Sequence, residues 1–136
     1  MYLVDTNVLC EATRAQASEP VGRWLLSQAS VKVSALTLME IEYGLSRLER
    51  GAKRDRLTKW LEGVLASPAV EIVPIDAAVA RSAGRLRRLA EQHGRPRPLA
   101  DLLIAACAQV SGSVVATRNT ADFEGLGVPL LNPFAG

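Results

Sequence analysis

The chain has 136 residues, a length suited to one domain whose core buries roughly two-thirds of the unfolded surface. With 49% hydrophobic and 22% charged residues, a formal charge of +2 and two cysteines, it reads as globular and cytosolic, with no disulfide framework. The apolar run Leu102 to Ala108 is far short of the roughly 20 residues of a membrane span, and the start Met1-Tyr2-Leu3-Val4-Asp5 lacks the basic region of a secretory signal.

Short apolar runs alternate with longer amphipathic ones, which predicts βαβ units around a parallel sheet. A first strand over Tyr2–Val4 runs into Asp5-Thr6-Asn7, with a helix expected over 8–11. Asp5 stands where an open α/β sheet places its site, yet Asp, Thr and Asn are also good N-caps, so both readings stay open. A helix over 21–28 leads to a second strand at Val31–Ser34. The next helix, over 38–48, has the apolar stripe Leu38, Ile41, Leu45 and Leu48. Thr37-Leu38-Met39-Glu40 fits a capping box, with the Glu40 carboxylate reaching back to the Thr37 amide. Glu40 also lies off the stripe, and Gly44 one turn on leaves bare backbone beside it, which suggests that something approaches closely.

A helix over 54–65, a strand at Val70–Val73 and a helix at Ala77–Gln92 follow. Residues 81–98 carry six arginines (Arg81, Arg85, Arg87, Arg88, Arg95 and Arg97) against one acid, Glu91. Arg81, Arg85 and Arg88 fall on one helix face, which is either a phosphate-binding stripe or a solvated surface. The helix over 99–110 is apolar almost all round and should be buried. Asp101 falls in its first turn, after Pro98 at the first helical position, where the helix dipole favours an acid. Ala105 and Ala108 share its face and should leave room for a ligand or metal. A strand over 113–116 precedes Asp122, whose loop setting ordinary turn chemistry also explains, and a short strand over 128–131 follows. The expected fold is a single three-layer α/β domain over 1–136, a mostly parallel sheet of about five strands flanked by helices.

The single histidine, His93, sits in a Gly/Pro/Arg loop, which argues against a zinc site or a serine–histidine triad. No GxSxG, GxxxxGK[ST] or GxGxxG occurs, so any chemistry falls to carboxylates. Asp5, Glu40, Asp101 and Asp122 follow strand ends or open helices, and all four can face one edge of the sheet. Clustered carboxylates repel unless a cation neutralises them, and oxygen ligands without imidazole or thiolate select hard ions, Mg²⁺ or Mn²⁺. Phosphodiester cleavage is the natural task of such a site.

Five stretches carry a resemblance that spans nearly the whole chain: Tyr2-Leu3-Val4-Asp5-Thr6-Asn7-Val8-Leu9, Glu40-Ile41-Glu42-Tyr43-Gly44, Leu99-Ala100-Asp101-Leu102-Leu103-Ile104-Ala105-Ala106, Thr117-Arg118-Asn119-Thr120-Ala121-Asp122-Phe123, and the ending Gly127-Val128-Pro129-Leu130-Leu131-Asn132-Pro133-Phe134. In this order they resemble the PIN-domain ribonucleases, and among them the VapC-type toxins of bacterial toxin–antitoxin pairs. The resemblance implies that Asp5, Glu40, Asp101 and Asp122 form a catalytic pocket holding Mg²⁺. Asp5 and Asp101 would be direct ligands; Glu40 and Asp122 would be ligands too, or act through water or on the nucleophile. Thr6, Asn7, Thr117 and Asn119 would orient the carboxylates. It implies single-strand-selective RNA cleavage leaving a 3′-hydroxyl and a 5′-phosphate, a homodimer, and neutralisation by a cognate antitoxin. With RNA as substrate, Arg81, Arg85 and Arg88 become candidate RNA-binding residues, extended toward Asp101 by Arg95 and Arg97.

Four other readings compete. A haloacid-dehalogenase-like phosphatase needs a second Asp where Asn7 stands, and a receiver domain needs paired acids after the first strand. A catalytically silent RNA- or protein-binding module would be favoured by loss of an acid, and none of the four is missing. A PIN nuclease without a toxin role is the remaining alternative.

Overall fold

The computed structural model describes residues 1–135, so the last residue of the expected 1–136 domain lies outside it. The chain runs through β1 (Tyr2–Val4), a one-turn α1 (Thr6–Leu9) and a 3₁₀ turn at Cys10–Thr13, then α2 (Glu19–Ser27), β2 (Val31–Ser34), α3 (Ala35–Ser46) and α4 (Ala52–Ala66). β3 (Val70–Val73), α5 (Ala77–Gln92), α6 (Leu99–Ser111), β4 (Val114–Ala116), a 3₁₀ turn at Thr120–Asp122, β5 (Leu130–Leu131) and a last 3₁₀ turn at Pro133–Ala135 complete it.

The five strands form one sheet in the order β3-β2-β1-β4-β5, and every neighbouring pair is parallel. Leu3 lies opposite Lys32 on one side and Val115 on the other. Helices cover both faces, so the central strand is apolar on both. Leu3 packs with α5 and α6 through Val79, Leu86 and Ala105, while the next residue, Val4, packs with α2, α3 and α4 through Val21, Ile41 and Leu61. Both are fully buried. Among the described residues no helix is long and apolar enough to cross a membrane.

Several boundaries differ from the sequence reading, and caps explain most of the shifts. α1 opens at Thr6 and not at 8, because Asp5 itself is the N-cap, with extended backbone at φ −70° and ψ 160°. α3 opens three residues before the expected 38, because Ser34 at the end of β2 caps it, Oγ accepting from the Leu36 amide at 3.1 Å. Thr37 is therefore a buried first-turn residue, and the capping box expected between Thr37 and Glu40 is replaced by this serine cap. Pro98 is the residue before the first helical position of α6 rather than that position itself, which still leaves Asp101 in the first turn. α6 ends at Gly112, whose left-handed backbone (φ 63°, ψ 39°) suits glycine. β4 and β5 are shorter than expected, beginning at Val114 and Leu130.

Candidate active site

β1 leads outward to β2 and β3 on one side, while β4 and β5 lie on the other. The chain therefore changes direction between β1 and β4, the place where an open α/β sheet leaves a crevice beyond the strand ends. Asp5 is the residue after β1, and Thr117 is the residue after β4. Their backbones are already in register, with the Asp5 amide donating to the Ala116 carbonyl at 2.9 Å.

Asp5 is held from three directions. Its Oδ1 accepts from the Thr6 amide at 2.8 Å, and its Oδ2 accepts from Thr117 Oγ1 at 2.8 Å and from Asn7 Nδ2 at 3.2 Å. The N-cap and functional readings of this residue are thus compatible: one oxygen caps α1, and the carboxylate still lines the crevice. Asn7 is fixed in turn, its Oδ1 accepting from the Arg118 amide at 3.2 Å. Asn119 supports Thr117 through its backbone amide, 3.1 Å from Thr117 Oγ1, while its side chain lines the pocket.

Glu40 reaches the same place from α3. Its Oε1 accepts from the Thr6 hydroxyl at 2.8 Å, and Thr6 Oγ1 lies 3.2 Å from the buried Thr37 hydroxyl. Asp5, Glu40 and Asp101 line one open pocket of about 360 Å³ with Thr6, Asn7 and Cys10. Asp122 is exposed and lies outside that lining, yet its charge reaches Asp101. The Asp101 carboxyl is pushed up from 3.8 to about 6, first by burial, then by Asp122, Asp5 and Glu40, with Arg97 opposing. The room beside Asp101 is bounded by Ala100 and Ile104; Ala105 and Ala108, expected to provide it, are fully buried in the core.

The donor set fits a hard cation. Among the described residues no three Asp, Glu, His or Cys side chains stand close enough to enclose an ion unaided. An open bowl of carboxylates suits Mg²⁺, which keeps several waters and is bound through one or two carboxylates plus substrate phosphate. The upward push on Asp101 by three other acids is the charge such an ion relieves.

Cys10, which the sequence does not mark as a site residue, also lines this pocket, and burial followed by the Glu40 charge pushes its thiol up. Only its position after the first motif hinted at this. Cys10 also borders a neighbouring groove of about 280 Å³, which runs from Thr6 and Glu40 over Ile41, Leu45, Leu48, Leu57 and Trp60. Gly44 lines the groove, and a Cβ built there would meet nothing within 4 Å, so no part of the chain makes the close approach its position suggested.

The arginines divide into two groups. Arg81, Arg85 and Arg88 are exposed on α5 and none lines the acidic pocket; Arg88 lies 3.8 Å from Glu91. Arg95 and Arg97 instead reach across the surface to the Asp122 loop, donating to its backbone carbonyls.

A family model described as "PIN domain" matches residues 2–127. The chain is 35% identical to a protein named VapC ribonuclease Y4jK of Sinorhizobium fredii, over 98% of each chain. It is 38% identical to one named Toxin FitB of Neisseria gonorrhoeae, over 98% of this chain and 99% of that one. The crystal structure of FitAcB from Neisseria gonorrhoeae superposes with a TM-score of 0.90 at 37% identity, covering 98% of this chain and 99% of the other.

Proposed function

The chain belongs to the PIN-domain family, and from that premise we propose that it is a Mg²⁺-dependent endoribonuclease serving as the toxin of a toxin–antitoxin pair. The observation that carries the reading is the convergence of Asp5, Glu40 and Asp101, from three separate elements, on one pocket that also feels the charge of Asp122. Similarity to proteins named as a VapC ribonuclease and a toxin supports both halves of the proposal.

In this reading Asp5 and Asp101 hold the ion. Bound there, Mg²⁺ supplies a water of lowered pKa and steadies charge on the phosphate oxygens. Mn²⁺ fits the same oxygen donors. Three hydrogen bonds keep Asp5 in one orientation, so little reorganisation accompanies binding. Glu40, anchored through Oε1 to Thr6, takes a proton from the attacking water. Asp122 adds negative charge at the rim, which raises the local concentration of cations. The substrate is single-stranded RNA, gripped at its phosphates by Arg81, Arg85 and Arg88 on α5.

The partner in this proposal is an antitoxin that lays an apolar segment along the groove of Leu45, Leu48, Leu57 and Trp60 and places a basic side chain among the carboxylates. Lys53 on the groove wall and Glu40 at its end give that segment polar groups that orient it. Two copies of the chain form the homodimer expected of such toxins. Incubating purified protein with total RNA, with and without Mg²⁺, tests the core of the proposal. Divalent-dependent cleavage is expected, and full activity in excess EDTA overturns it. Co-expression with the neighbouring reading frame tests the partner: growth should recover and a small protein should co-purify.

A further inference from the structure

Arg95 and Arg97 stand on the connection between α5 and α6, in the run His93-Gly94-Arg95-Pro96-Arg97-Pro98. Each is followed by proline, which disfavours helical backbone at the preceding residue. Both guanidinium groups reach one target. Arg95 Nη2 donates to the Ala121 carbonyl at 2.7 Å. Arg97 donates through Nη1 to the Asp122 carbonyl at 3.1 Å and through Nη2 to the Glu124 carbonyl at 2.6 Å. Arg97 Nε is buried with no partner among the described residues, so the side chain is aimed by its two terminal nitrogens alone.

The carbonyls so held belong to the loop that carries Asp122, and Asp101 follows Arg97 by four residues at the head of α6. We infer that Arg97, with Arg95 beside it, is a positioning residue that clamps the Asp122 loop against the acidic pocket, so that the fourth acid belongs to the site only while the clamp is made. The inference rests on the metal-nuclease reading and replaces the RNA-binding role expected for these two arginines. Arg95 Nη2 and both terminal nitrogens of Arg97 serve main-chain oxygens of the loop, which gives these side chains a structural task that needs no phosphate. Charge and geometry also pull in opposite directions here. The Arg97 charge opposes the acids' attraction for a cation, whereas its hydrogen bonds bring a further acid to the site.

Arg97→Lys separates the two effects, because lysine keeps the charge and loses the planar fork that spans two carbonyls. The probe is Mn²⁺ binding to the full chain, measured by calorimetry without RNA. Arg97→Lys should weaken Mn²⁺ binding by about fivefold, a coupling typical of groups that touch. The same change made in an Asp122→Asn background should add nothing, since the clamp acts through Asp122. Amide exchange at 119–124 should quicken in Arg97→Lys while the β1 amides stay protected. Equal Mn²⁺ binding by wild type and Arg97→Lys overturns the clamp alone; a wild type that binds no Mn²⁺ overturns the nuclease reading and the clamp with it. A full loss that persists in the Asp122→Asn background, or a shallower salt dependence of RNA binding, also overturns the clamp in favour of a direct role. Should Arg97→Lys fail to fold, Arg95→Lys keeps the charge, gives up the guanidinium that reaches Ala121 and is read in the same way, with a smaller loss expected.

Discussion

The Thr6 hydroxyl donates to Glu40 Oε1 at 2.8 Å across 34 residues of sequence, tying the start of α1 to the middle of α3. Thr6 thus touches both carboxylates, giving its backbone amide to Asp5 Oδ1 and its hydroxyl to Glu40 Oε1. Thr6→Val keeps the shape and removes the donor. Ribonuclease activity at limiting Mg²⁺ should fall roughly tenfold, the kinetic equivalent of one charged hydrogen bond of about 1.5 kcal/mol. Unchanged activity, with circular dichroism showing an intact fold, would mean that Glu40 needs no anchor.

Asp5→Asn and Asp101→Asn should each abolish divalent-dependent cleavage without unfolding the chain, because a carboxamide of equal size does not neutralise the ion. Removing one acid relieves repulsion among the rest, so melting of the metal-free protein should shift upward for Asp101→Asn. A lower melting temperature for that variant contradicts the account of the site as a repulsive cluster.

Asp101 also predicts a pH dependence. Its carboxyl is raised from 3.8 to about 6, by burial first and then by its acidic neighbours, so the folded state holds that proton more tightly than the unfolded one. The associated stability is fully present below pH 3.8 and is lost as pH rises through about 6. Denaturant unfolding of metal-free protein across that window should show the decline, and Asp101→Asn should lack it. Mg²⁺ competes with the same proton, so its binding should tighten as pH rises through about 6.

The sheet, its order of elements and two of the acids were legible in the sequence because they depend on local signals. Asp5 follows a short apolar strand, and Asp101 opens a helix whose apolar circumference announces burial. Glu40 was found as a candidate but given the wrong partner. The Thr37 capping box is a pattern of four residues, and it lost to Ser34, which ends β2 and caps α3 in the same stroke. Arg95 and Arg97 read as RNA-binding candidates, and their bonds to the Asp122 loop stay hidden because the acceptors are main-chain oxygens 25 to 27 residues away, and a carbonyl has no letter in the sequence. Cys10 is harder to read from sequence: it lines the pocket from the 3₁₀ turn that follows α1, outside the motif that carries Asp5.

The exposed stripe on α5 gives a fourth test. Replacing Arg81, Arg85 and Arg88 together by glutamine should flatten the log–log salt dependence of single-stranded RNA binding by roughly 0.7 for each phosphate that is no longer neutralised. Divalent ion binding should be unaffected, since none of the three lines the acidic pocket. An unchanged slope makes the stripe a solvated surface.

The position of β1 governs when the acidic site is assembled. Tyr2 pairs with Val114 and Val4 with Ala116, so the first strand made is bonded on one side by a strand made near the end. Asp5 cannot find the Thr117 hydroxyl until that later strand has been synthesised and docked, and pairings of such sequence separation form slowly. A growing chain on the ribosome carries Asp5 and Glu40 long before it carries Asp101 or Asp122. The four acids are thereby kept apart in the nascent polypeptide until β4 has emerged and docked beside β1.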